Sequence, residues 1–144
     1  MIHAQWEDKP AWGKTRADVI SAKYSHHTLR TIAGGCSSVH WHKNRLNRFV
    51  VVSGRIAVVE LYGWETKRTV LDTGASLEVP SLVPHQFQSL VNSQVIEEYW
   101  PDRGGNVEVD DIVRLSVGCM VDPSLLYASQ GVFIDGKEVT FQCV

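Results

Sequence analysis

The stretch Gly34–Gly54 reads GGCSSVHWHKNRLNRFVVVSG, and it decides the fold. Its centre, Ser38–Trp41, reads as a strand that runs on into His42. His40 and His42 stand two apart there, so both imidazoles leave the same face. Two imidazoles from one strand can occupy adjacent corners of a metal polyhedron. The pair is not decisive alone: six His in 144 residues give about 0.25 such pairs by chance, so the flanking residues must carry the argument. Downstream, Ser53-Gly54 separates FVVV from RIAVVELY and reads as a tight hairpin.

The flanks are informative. Gly34 lies six before His40, Asn47 five after His42, and Gly54 seven after Asn47. This resembles the first cupin motif, G-x5-H-x-H-x3,4-E-x6-G, with Asn47 in place of the Glu. Gly74–Ser89, GASLEVPSLVPHQFQS, resembles the second, G-x5-P-x-G-x2-H-x3-N. Gly74, Pro80 and His85 match it; Leu82 replaces the middle Gly and Ser89 the final Asn. A hairpin strand pair separates the two motifs, as in that family.

The resemblance implies an all-β double-stranded β-helix, the cupin jelly-roll barrel, with a divalent metal ion (Zn, Mn, Fe or Ni) in its interior. His40 and His42 correspond to the paired ligands and His85 to the later one. Asn47 occupies the carboxylate slot and offers a neutral carbonyl oxygen, a poorer partner for a divalent cation. Three outcomes follow: three His with waters, a weaker three-His-plus-Asn site, or a site that has lost its metal.

A narrower likeness runs from about Pro10 to Val117. R-L-N-R-F-V-V-V-S-G (Arg45–Gly54) looks like R-x-E-x-W-x-V-V-x-G of the cupin domain in type II mannose-6-phosphate isomerases. DDIVRL (Asp110–Leu115), V-I-E (Val95–Glu97) and Pro10-Ala11-Trp12-Gly13 resemble further parts of the same domain. This likeness implies a sugar or sugar-phosphate aldose–ketose isomerase. Glu97 would move a proton between C1 and C2, and Arg114 would grip a phosphate or a hydroxyl array. Arg45 matches the motif and reads as a structural arginine near the barrel mouth. Two other functions stay open. Three neutral His without a carboxylate suit an Fe(II) dioxygenase, and the lost Glu suits a non-catalytic small-molecule binder.

The rest of the chain agrees with one small domain, with a core over about 23–117, an N-terminal arm 1–22 and a C-terminal extension 118–144. The extension has no counterpart in the resemblance. Hydrophobic residues are 44%, charged residues 21% and net charge -2, which speaks against a nucleic-acid surface. The apolar runs are strand-length, so no membrane span is expected. The polar N-terminus does not read as a secretory signal, so none is expected. Cys36, Cys119 and Cys143 lack CxxC spacing and read as ordinary thiols in a reducing, cytoplasmic setting. The other strands expected are Lys23–Ile32, Arg48–Val52, Arg55–Tyr62, Lys67–Leu71, Ser76–Val79, His85–Ser89, Val95–Trp100, Ile112–Val117, Gly131–Ile134 and Glu138–Cys143, with a second hairpin at Asp135-Gly136. Helical turns are expected only near Arg16–Ala22 and Pro123–Ser129. Trp41 alternates with the paired His and should point away from them, toward a second sheet or a subunit contact. His26 and His27 share a strand, so at most one looks inward. A homodimer and a small-molecule substrate complete the expectation.

Overall fold

The computed structural model describes residues 5–108 and 110–140. Its strands in chain order are β1 (Trp6–Lys9), β2 (Gly13–Ile20), β3 (Ser25–Thr31), β4 (Gly35–Cys36), β5 (His40–Trp41), β6 (Leu46–Ser53), β7 (Arg55–Tyr62) and β8 (Glu65–Asp72). There follow β9 (Ser76–Val79), β10 (His85–Ser89), β11 (Ser93–Trp100), β12 (Val113–Arg114) and β13 (Cys119–Met120). One short helix, α1 (Pro123–Ala128), precedes the hairpin β14 (Val132–Ile134) and β15 (Lys137–Val139).

Two antiparallel sheets face each other. One has the order β1-β2-β3-β11-β6-β9. In the other, β10 has β7 on one side and β4 and β5 end to end on the other, with β8, β13 and β12 outside them. Leu29, Phe49, Val51, Ile56, Val58, Leu71, Val79, Phe87 and Val95 meet between the sheets and form the main core. Their spacing shows why these segments are strands. Leu46–Ser53 alternates, with Asn47, Phe49 and Val51 inward, and β10 sends His85 and Phe87 to the same side. The inward rows are apolar toward one end and polar toward the other.

Three expectations fail. Ser53-Gly54 is not a hairpin, because β6 pairs with β11 and β9 whereas β7 pairs with β8 and β10. It is a corner that carries the chain from one sheet to the other. Gly54 has φ +100°, and a Cβ there would lie 2.2 Å from Ser93 Oγ, so only glycine fits. Arg16–Ala22 is not a helical turn. Residues up to Ile20 form β2, which pairs along its length with β3 and places the N-terminal segment inside the six-stranded sheet. Ile112–Val117 shrinks to Val113–Arg114, with Ser116 bonding Val39 N through its hydroxyl instead. The Asp135-Gly136 hairpin forms as expected, with φ of 53° and 79°. Phe141, Gln142 and Cys143 of the last expected strand lie outside the described residues.

The C-terminal segment seals the outer face of β10. Leu126, Val132 and Phe133 are buried against Cys36, Leu90, Val39 and Val59. Gln86 donates to Ser37 O and Phe133 O, and Gln88 donates to Gly131 O. A polar strand face is thereby buried with both side-chain NH2 groups hydrogen-bonded, while Gln88 Oε1 has no partner.

Candidate metal centre

His40 on β5 and His85 on β10 are direct cross-strand partners, and His42 follows on the same face as His40. The ring centroids lie 4.6 Å apart for His40–His85, 5.1 Å for His40–His42 and 5.5 Å for His42–His85. The three ligand nitrogens all lie within 4.8 Å of one another.

Each ring is oriented through Nδ1. That of His42 meets Asp111 O at 2.7 Å, that of His85 meets Val83 O at 2.9 Å, and that of His40 meets Ser38 O at 3.0 Å. A carbonyl oxygen only accepts, so each Nδ1 carries the proton and each Nε2 keeps its lone pair. His42 Nε2 is buried with no partner. Burial holds all three imidazoles neutral: His42 is pushed down to about 3, His85 to about 4, and His40 well below the ordinary value. Three neutral, pre-oriented lone pairs in a buried site fit a divalent cation. The group can hold such an ion.

Asn47, fully buried on β6, faces the same point. Its Nδ2 donates to His85 Nε2 at 3.3 Å and to Glu97 Oε2 at 3.2 Å, while Oδ1 has no partner. Turning the amide over would present Oδ1 toward the three nitrogens.

Glu97 lies on β11 beside β6 and is half-buried. Burial pushes its carboxyl above the ordinary value, against the hydrogen bond it receives from Asn47. Arg114 lies opposite His40 in the β12–β5 pair and is exposed. The run that carries it has a second role: Asp111 accepts from Lys43 N and Asn44 N at 2.7 and 2.9 Å, fixing the loop after His42.

Three residues of the site were not singled out as functional from sequence. Tyr99 lies beside Glu97 and Arg45 and packs its ring 5.3 Å from His42. Arg45 is 8% exposed, with its guanidinium 4.6 Å over the Tyr99 ring; one nitrogen donates to Glu108 O and Nε has no partner. His27 packs 5.6 Å from Tyr99, whereas its neighbour His26 bonds Asp18. The available signal was the inward period of β11, since Val95, Glu97 and Tyr99 share a row.

A cavity of about 610 Å³ opens beside this cluster, within the range of small-molecule sites. His27, His40, Arg45, Glu97, Tyr99 and Arg114 lie on its wall. Trp12 and Phe87, 4.9 Å apart edge to face, give it an apolar end. His42, Asn47 and His85 do not line it.

No family model and no curated protein matches the sequence. Solved structures do match. A Bacillus subtilis oxalate decarboxylase at pH 4.6 aligns with TM-score 0.66 and 17% identity over 78% of this chain and 30% of its own. The Lactobacillus farciminis oxalate decarboxylase formate complex gives 0.65 and 16%, over 78% and 34%. This is a cupin fold. A further B. subtilis structure, studied for its Mn(II) centres, aligns at 0.65 and 17%, over 78% and 30%. The chain spans about a third of the length of these cupins. Among its described residues, no helix is long and apolar enough to cross a membrane.

Proposed function

We propose that this metal-binding cupin is an enzyme that moves a proton on a small anionic hydroxy-carbonyl compound, with an aldose–ketose pair or its phosphate as the substrate class. The observation that carries this reading is Glu97, a half-buried carboxyl on the cavity wall, one Asn47 amide away from His85 Nε2. A divalent ion held by His40, His42 and His85, with Asn47 as a weaker fourth ligand, would polarise a carbonyl as a Lewis acid.

The chain supplies the rest. A carboxyl whose proton affinity is raised by burial is suited to take a proton from the carbon beside a carbonyl and return it to its neighbour. Asn47 holds the Glu97 side chain in place through the hydrogen bond from its Nδ2. Arg45 and Arg114 put two positive charges on the cavity wall with no ion pair to either among the described residues, which suits an anionic substrate. Trp12 and Phe87 exclude water from the far end.

The test is turnover of hexoses, pentoses and their phosphates by protein loaded with Zn²⁺, Mn²⁺ or Co²⁺. Glu97→Gln should lower kcat by about 10²–10⁴-fold. Arg114→Ala should mainly raise KM. His85→Ala should abolish activity. Absence of isomerisation across these substrates sinks the reading. The ligand group itself favours a second reading, because its three nitrogens are neutral and include no carboxylate. Oxygen uptake by iron-loaded protein with a thiol or diketone would select that Fe(II) dioxygenase. Binding without turnover of either class would leave a small-molecule binder.

A further inference from the structure

Cys36 and Cys119 are register partners in the antiparallel pair β4–β13. Cα atoms of such partners lie about 4.5–5.5 Å apart, inside the span a disulfide bridges. As register partners, the two side chains leave the same face of the sheet. Each also lies near a backbone carbonyl, Cys36 Sγ 3.7 Å from Gly34 O and Cys119 Sγ 3.8 Å from Phe133 O. Both are free thiols in this structure.

We propose that Cys36 and Cys119 close into a reversible cross-strand disulfide, with a small-molecule disulfide of the glutathione type as the oxidant. The proposal is independent of the metal and of the proposed activity. Accessibility sets the order of events, because Cys119 is half-buried and Cys36 fully buried. The Cys119 thiolate attacks the external disulfide; a mixed disulfide forms, the external S–S bond breaks and one small thiolate leaves. Cys36 sulfur then attacks Cys119 Sγ, and the second small thiol departs with the Cys36 proton. Two protein thiols are oxidised and one external disulfide is reduced to two thiols. Burial, with Cys119 alongside, pushes the Cys36 thiol up, which fits a sulfur that reacts only with its neighbour.

The bridge would act on the cavity. Val117 and Gly118, just before β13, line it, and Arg114 stands on the preceding strand. β4 pairs with β10, which carries His85. A disulfide here would therefore staple the cavity wall to the strand that holds the metal-ligand candidate.

The experiment treats the full chain with oxidised glutathione at mildly alkaline pH, then maps peptides without reduction. The expected result is loss of two hydrogens in mass, one linked peptide pair joining Cys36 to Cys119, alkylatable Cys143, and reversal by dithiothreitol. Oxidation should raise Tm by about 5–15 °C. Cys119→Ser, at a half-exposed site, should keep the fold and lose the Tm rise. The proposal is overturned by persistent alkylation of both cysteines, by a link through Cys143, by a covalent dimer, or by glutathione left on Cys119 without closure.

Discussion

At the scale of single residues, Asn47 and Leu82 show how a departure from a motif reads in three dimensions. Asn47 stands on the inward face of β6, touching both His85 and Glu97. Asn47→Glu would add a carboxylate to the ligand group and should tighten divalent-metal binding by about 10–100-fold. The same change buries a carboxylate beside Glu97, so the metal-free variant should lose roughly 1–3 kcal/mol. A competitive chelator titration, paired with melts in excess chelator, checks both; equal or weaker metal retention contradicts the alignment of Asn47 with the carboxylate slot. Leu82 stands where the motif has glycine, and its φ is 70°. The turn therefore keeps its left-handed backbone without the residue that suits it, and Leu82 N still donates to His42 O at 2.7 Å. The Leu82 side chain is 52% exposed, so Leu82→Gly removes little packing and relieves the backbone. Chemical denaturation should show a gain of about 0.5–1 kcal/mol; a loss would mean the side chain packs more than its exposure indicates. His40, His42 and His85 were legible because strand period and motif spacing agree. Tyr99, Arg45 and His27 were not, because their importance comes from strands that meet only in the barrel.

Among the elements, the strands were legible and their partners were not. The turn residues that bracket Arg55–Tyr62, Ser76–Val79 and His85–Ser89 marked those strands at their observed limits. A Ser-Gly pair announces a reversal without saying whether the chain returns to the same sheet, and at Gly54 it crosses to the other. Arg16–Ala22 alternates weakly, and its strand identity comes from pairing with β3. The C-terminal segment, which no motif touched, covers the outer face of β10. Phe133 is 2% exposed and packs with Cys36, Leu90 and Leu126. Phe133→Ala should cost about 3–5 kcal/mol, measured by urea denaturation of the purified variant. A loss below about 1 kcal/mol would show that the segment is a detachable appendage.

For the whole molecule, the buried imidazoles couple stability to pH. Unfolding returns His85 from about 4 to the ordinary 6.5, so between those values the unfolded chain takes up a proton that the folded chain refuses. His42, lowered to about 3, acts in the same direction. The stability of chelator-treated protein should be fully present above pH 6.5 and fall as pH drops toward 4, with His85 alone contributing roughly 3 kcal/mol of that loss. Melts of the metal-free protein at a series of pH values check this; a flat profile would place the rings in contact with water. Length announced one small domain, the short strands between turn signals made it all-β, and the two motifs announced its barrel. Neither could show that Asp111 orients His42 or that Arg45 and Arg114 share one cavity wall, because those contacts join segments about 70 residues apart in sequence. The central claim is that three imidazoles hold a metal ion. Its most direct test is metal content per chain after equilibrium dialysis against Zn²⁺, for the protein and for His85→Ala at equal concentration. One ion per chain in the protein and none retained in the variant is the predicted result. No retained ion in the protein, or equal retention in His85→Ala, would contradict it.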